Sequence, residues 1–340
     1  MRRLRPFIFA TLLLTATTTS AEQVQLKVAT LAPDGSKWMT AARRAADEIS
    51  SRTGGRVGIR LYPGGTMGTD QAVLRKMRIG QLQGGAILIG SLTDVEPNIE
   101  LYNLPLLFHD YGEVNAVRAA FDKRLLGMLA DKGFEAFGFV ETGFVYLMST
   151  RAVGSFADLE GRKIWMPEGD AIGQAIADAA RLSPVPLAIS DVLTGLQTGL
   201  VDTVGAPLVG AVALQWFTKA TYVTDLPVTY VYGTLVIAEQ AMERLTPADR
   251  DVVREELTAA MAELDRSARE DTEQARRALI QQGVTFIQPN EETLSRWSSV
   301  AAEATQALVG RQRYDRALVD EIQKVLEEHR AGRGPTAGGG

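Results

Sequence analysis

Apolar and polar residues alternate with a period of two over 24–31, where Val24, Leu26 and Val28 share one face, and the run ends at Pro33-Asp34-Gly35-Ser36. This alternation predicts a half-buried strand. The period lengthens to that of a helix over 37–52, with Ser36 placed as its cap and Gly54-Gly55 as its stop. A second strand follows over 56–62 (Val57, Ile59 and Leu61 inward) and turns at Pro63-Gly64-Gly65. A helix over 70–79 and a buried strand over 86–89 complete the spacing of a βαβαβ unit, so the chain opens as an α/β protein.

Helical spacing returns over 111–131, with Val114, Val117, Phe121, Leu125 and Leu129 in one stripe and Gly133 at its end. Strands are expected at 134–142 and 146–150, the second crossing into another domain. A strand at 163–166, a helix at 171–180, a strand at 184–187 and a helix at 190–197 repeat the alternation. The apolar run 231–238 suits a strand that crosses back. The last third is helical, and its segment 247–282 is unbroken, with Leu257, Met261, Leu264 and Ala268 spaced four, three and four. That length exceeds the usual globular range, so the helix is expected to lie across both domains. Helices at 291–309 and 314–329 follow, then a Gly-rich tail, 331–340, expected to be disordered.

Composition changes this picture at the N-terminus. Arg2, Arg3 and Arg5 precede an apolar run from Phe7 to Leu14, and Thr19-Ser20-Ala21 supplies a small-residue cleavage site. Residues 1–21 therefore read as a secretory signal peptide, with a retained anchor as the alternative. No other stretch approaches the ~20 apolar residues of a membrane span. The mature chain is expected to be soluble and exported to a bacterial periplasm. The sequence has no cysteine, which excludes disulfides, thiolate catalysis and zinc–thiolate sites. Its net charge is −5, and about −8 without the three leader arginines. An acidic chain with no basic stripe argues against nucleic acid as a partner.

Candidate chemistry is sparse. His109 and His329 are the only histidines, and no Gly-x-Ser-x-Gly elbow accompanies them, so neither a metal site nor a triad is expected. Gly64-Gly65 with Gly68 lacks the Gly-Lys-Ser/Thr of a phosphate loop and reads as a turn. Glu141, Glu168, Asp170 and Asp225 are the carboxylates open to an acid/base role, with solvated surface, or a helix cap for Asp170, as the default. No catalytic residue and no cofactor is expected. Two stretches stand out instead, 161–169 and 196–207. Each is a short apolar strand entering a loop beside a helix, the place where open α/β proteins grip ligands.

These stretches and others, in order, resemble the substrate-binding proteins of TRAP (tripartite ATP-independent periplasmic) transporters, of the dicarboxylate-receptor (DctP) type. Leu61-Tyr62-Pro63-Gly64-Gly65-Thr66-Met67-Gly68 is similar to that family's strand, turn and Leu-Gly motif. Leu104-Pro105-Leu106-Leu107-Phe108 resembles its Pro-Phe-Leu-Phe segment, and 158–164 its Asp-Leu-Lys-Gly-Leu-Lys approach to the ligand clamp. Leu196-Gln197-Thr198-Gly199 with Val201-Asp202 resembles its Leu-Gln-Thr-Gly-Val-Val-Asp-Gly element. The resemblance implies a two-lobed periplasmic binding protein fold with hinge strands and a long C-terminal helix spanning both lobes. The expected division is 22–146 with 231–275 for lobe I and 147–230 with 276–330 for lobe II. It also implies a small-molecule ligand and TRAP-type membrane permease subunits as partners. Some branches of the family add a periplasmic helical-repeat accessory protein.

The polar centre of that family's site is missing here. Trp165 stands at the position of the clamp arginine, Val145 where some members carry a second arginine, Ala206 in place of the usual asparagine, and Leu193 where tyrosine is common. A guanidinium meets a carboxylate with two parallel charge-assisted bonds, whereas tryptophan offers one N–H and an apolar face. A carboxylate buried here would be unpaired, at a cost of several kcal/mol. The expected ligand is therefore apolar or aromatic. Trp38, Ser91, Phe108 and Tyr146 complete the candidate ligand-binding set, and the segments 31–33 and 91–92 are expected to close the opposite side. The alternatives are an organic acid met by Arg162, Lys163, Arg151 or Lys219, an exported enzyme using Glu141 or Glu168, and a sensor that presents its ligand to a membrane receptor.

Overall fold

The computed structural model describes residues 23–311 and 313–332. The expected signal peptide and residues 333–340 of the expected tail lie outside the described residues. In chain order the elements begin β1 (Val24–Thr30), α1 (Lys37–Arg52), β2 (Val57–Tyr62), α2 (Asp70–Arg78) and β3 (Gly84–Leu88). Two 3₁₀ turns, Ile89–Leu92 and Pro97–Asn103, lead to α3 (Tyr111–Ala130) and the long strand β4 (Phe134–Ser149). Then come β5 (Trp165–Pro167), α4 (Ala171–Ala180), β6 (Val185–Leu187), α5 (Val192–Thr198), β7 (Thr203–Pro207) and α6 (Leu208–Ala213). The second long strand, β8 (Tyr222–Ala238), is followed by α7 (Glu239–Glu243), α8 (Pro247–Gln281), β9 (Thr285–Ile287), α9 (Glu291–Gly310) and α10 (Arg316–Gly332).

One sheet runs through both lobes in the order β2-β1-β3-β8-β4-β7, with β9 on β8. β1 lies parallel between β2 and β3 at one end, while β4 and β8 run antiparallel to each other along the whole molecule. The small parallel pair β5–β6 is tied to β7 through an Ile164–Thr203 bridge. Because β4 and β8 are 16 and 17 residues long, each serves one lobe with its first half and the other with its second.

Two strands differ from the sequence reading. Instead of separate strands at 134–142 and 146–150 there is one, whose register shifts between Ala136 and Phe139, Glu141 and Gly143, and Val145 and Leu147. Gly138 and Gly143 sit at φ +120° and +103°, so the strand bends at glycines without ending. β8 begins nine residues before the expected 231. Pro227 hides that start, but it lies in the interval 225–228 where pairing with β4 is interrupted, so its missing N–H removes no ladder bond. The helix expected to end at 329 continues through Ala331 and Gly332.

The expected helix ends are held by the side chains in place for it. Ser36 Oγ accepts from Met39 N–H at 3.2 Å, Asp170 Oδ1 from Gly173 N–H at 2.8 Å, and Thr246 Oγ1 from Asp249 N–H at 3.2 Å. The 35-residue α8 joins two cores, as its length implied. Val253, Leu257 and Met261 pack with α1, β1 and β2, whereas Ala275 and Leu279 pack with α5, α6 and β7. α9 lies on α4, and α10 returns to lie on α3.

Candidate functional site

A cavity of about 350 Å³ opens where the lobes meet. Its floor comes from the crossing strands, since β4 contributes Val145 and Leu147, β7 contributes Gly205, Ala206 and Pro207, and β8 contributes Val228, Thr229 and Val231. Ile172 and Ile176 of α4 and Trp297 of α9 form a deep apolar wall, and Leu88, Glu100 and Asn103 face it from the side of β3. Leu88, Ile189 and Leu214 are exposed large apolar side chains on this same lining.

Trp165 is held rigidly. Its Nε1–H donates to the Leu187 carbonyl at 3.0 Å, and its ring meets that of Trp216 edge-on at 5.1 Å. The parallel pairing of β5 with β6 sets this geometry, because Trp165 lies opposite Val185 two residues before Leu187. The one donor of the indole is thus used within the protein, and its apolar face is what remains for the cavity.

The polar lining consists of Glu100, Asp170, Asn103, Thr142 and Thr229, and among the described residues no Lys, Arg or His lines the cavity. Burial pushes the Glu100 carboxyl up to about 7, although Tyr314 and Arg313 both favour its ionised form. Its Oε2 accepts from the Tyr314 hydroxyl at 2.8 Å and from Arg313 Nη2 at 3.2 Å. Burial likewise raises the Asp170 carboxyl, against the backbone N–H groups at the start of α4.

Of the candidate residues, the structure brings Trp165, Val145 and Ala206 together in this lining. The other five lie outside it. Leu193 and Tyr146 pack against the core shared by α5, α6 and β7. Trp38 packs over the α1–α8 core, and Ser91 is half-buried beside Asp70. Phe108 is buried between Tyr102 and Tyr230, edge-on to both. The side facing Trp165 is closed by Leu88, Glu100 and Asn103 and not by segments 31–33 and 91–92.

Several of the alternative residues are committed elsewhere. Arg162 donates to the carbonyls of Asp158, Arg151 and Ala152, and Lys163 Nζ donates to the Gly199 carbonyl at 2.8 Å. Neither they nor Arg151 and Lys219 line the cavity. Buried Glu141 is paired with Arg269 and accepts from Tyr230, and Asp225 is paired with Arg276. Glu168 is exposed, and Asp170 caps α4 as expected.

Sequence reading missed Trp216, Trp297 and Glu100. The tryptophans carried a signal, being half of the four in the chain. Glu100 carried one too, as a lone carboxylate between Ile99 and Leu101 in an apolar run.

A ligand cavity between two α/β lobes that share hinge strands, backed by a helix spanning both, defines a two-lobed solute-binding protein. The chain belongs to family 7 of the bacterial extracellular solute-binding proteins (DctP), which it matches over residues 28–312. The family and its neighbours are solute-binding proteins and not enzymes. The chain is 28% identical over 292 residues to the C4-dicarboxylate-binding periplasmic protein DctP of Rhodobacter capsulatus, covering 82% of this chain and 85% of that one. It is 25% identical over 270 residues to a solute-binding protein of Roseobacter denitrificans, covering 79% and 82%. Among solved structures, a TRAP periplasmic solute-binding protein of Haemophilus influenzae with bound L-gulonate superposes with a TM-score of 0.81 at 17% identity, covering 88% of this chain and 99% of that one. One of Desulfovibrio salexigens with bound orotic acid gives 0.79 at 18%, covering 91% and 99%.

Proposed function

We propose that this protein is the periplasmic receptor of a TRAP-type transporter, that it captures an apolar or aromatic molecule between its lobes, and that it delivers it to the membrane permease. The observation that carries the choice of ligand is the absence, among the described residues, of any cation from the cavity lining, together with Trp165, whose only donor is already taken by Leu187. A volume of about 350 Å³ lies at the small end of the ~300–1,000 Å³ typical of ligand pockets. Ligand touching both walls favours the closed arrangement by that differential contact. We assign the lobes as 22–146 with 231–275 and 147–230 with 276–330, α10 returning from the second to rest on α3 of the first.

The rival reading is a small organic acid, favoured by the L-gulonate and orotic acid in the solved relatives. Mass spectrometry of the solvent-extracted mature protein, purified without detergent from its own periplasm, decides between them. An apolar species at one per chain, lost from Trp165→Ala, is the expected result. Truncating a buried ring removes ~3 kcal/mol of contact, more than a hundredfold in affinity. A carboxylate at the same stoichiometry, retained by that variant, sinks the proposal.

A further inference from the structure

The ionisable groups of the lining, Glu100 and Asp170, are both carboxyls. Glu100 has a side chain only 5% exposed, and both of its bonds fall on Oε2, so Oε1 has no partner among the described residues. Asn103 Oδ1 is buried and also has no partner. The two residues are three apart on the 3₁₀ turn Pro97–Asn103, a spacing that places side chains on the same side. Asp170 faces Glu100 from the other lobe closely enough to raise its proton affinity. Its carboxylate already fills the N-terminus of α4, the position an incoming anion would otherwise take. Arg313 supplies one positive charge against the two carboxylates. The corner therefore holds open acceptors, and two carboxyls against one guanidinium, beside an apolar chamber.

We propose that the ligand carries a cationic hydrogen-bond donor, a protonated amine, at the end of its apolar body, and that this head is received by Glu100 Oε1 and Asn103 Oδ1. This rests on the reading of the cavity as the ligand site. An ammonium pairs with the Glu100 carboxylate and satisfies both open acceptors, whereas a carboxylate meets like charge there, with only the neutral donors of Asn103, Thr142 and Thr229 to set against it. The groups facing Glu100 are Arg313 and Tyr314 before α10, Asp170 before α4 and Tyr232 on β8. Binding a cation favours the ionised carboxylate, so affinity for an amine rises as pH increases from 6 to 8.

The test is calorimetric titration of the mature protein with 2-phenylethylamine, 2-phenylethanol and 3-phenylpropanoate at pH 8. The expected order is amine tightest and acid weakest, with the amine roughly tenfold ahead of the alcohol, the scale of one charge-assisted bond. Glu100→Gln should bring amine and alcohol together. Asn103→Leu serves as the second variant should Glu100→Gln unfold, and it should also narrow the gap. An acid that binds as tightly as the amine, or an amine preference that survives Glu100→Gln and Asn103→Leu, overturns the inference. Equal binding of all three sinks the amine head but leaves the apolar cavity standing. Binding of none sinks both.

Discussion

Asp70 is a carboxylate in the wrong medium. It begins α2, is 5% exposed, and its Oδ2 accepts from Leu88 N–H at 3.1 Å. Burial pushes its carboxyl up to about 6, outweighing that bond and the nearby Ser91 hydroxyl. A carboxyl raised in this way binds its proton more tightly in the folded chain than in the unfolded one. Its contribution is therefore full below about 3.8 and is lost as pH rises through about 6. Asp70→Asn keeps an oxygen for Leu88 and removes the charge. The variant should match the wild type near pH 3.5 and exceed it at pH 8 by on the order of 2–3 kcal/mol, read from urea midpoints at both pH values. Equal stabilities at pH 8 would show that Asp70 is not penalised by burial. At this scale the sequence was legible where a residue lay in a stretch that stood out. Trp165 did, within 161–169. Glu100 carried only the faint signal of a carboxylate in an apolar run, because its role depends on what a distant tyrosine and arginine leave unpaired.

β4 shows how an element can be legible in kind and wrong in extent. Its alternation breaks at Gly143, which reads as an end, but the strand turns through Gly138 and Gly143 and continues. A Cβ at Gly143 would lie 3.2 Å from Thr272 Oγ1 and 3.4 Å from the Tyr111 hydroxyl, and φ there is +103°. Gly143→Ala should cost roughly 1–3 kcal/mol, seen as a lower urea midpoint. A neutral effect would mean that β4 can relax without its bulge. Helices fared better because capping and periodicity are local. Ala171–Ala180 and the long Pro247–Gln281 matched their spacing closely, while the start of β8 was masked by a proline whose tolerance depends on its partner strand.

Across the whole molecule, α8 is fastened at each stage to what it crosses. Arg56 pairs with Asp249 near its start, Arg118 with Asp265 and Glu141 with Arg269 at its middle, and Asp225 with Arg276 near its end. The Glu141–Arg269 pair holds it to β4 in the stretch of register shifts between the lobes, and Arg118–Asp265 holds it to α3. Glu141 is almost fully buried, so removing its partner strands a charge. Arg269→Met should lower stability by roughly 3 kcal/mol, and the double change with Glu141→Gln should recover most of it. Failure of the double variant to recover would place the cost in lost packing over Tyr111, where the guanidinium lies 4.4 Å from the ring centroid. The two-lobed plan was legible from the order of elements and motifs. The cavity was legible in part, because Val145, Trp165 and Ala206 were among the candidates and do meet in its lining, whereas Trp216, Trp297 and Glu100 arrive from segments that only folding brings near.

Three of the four tryptophans, Trp165, Trp216 and Trp297, line the cavity, and Trp38 packs against the separate α1–α8 core. The chain consequently contains its own optical probe. Ultraviolet emission comes mostly from the chamber itself, and the edge-on Trp165–Trp216 pair is close enough for its transitions to couple. A guest entering there alters the colour and yield of that light, while Trp38 supplies an internal reference from the far side of the fold.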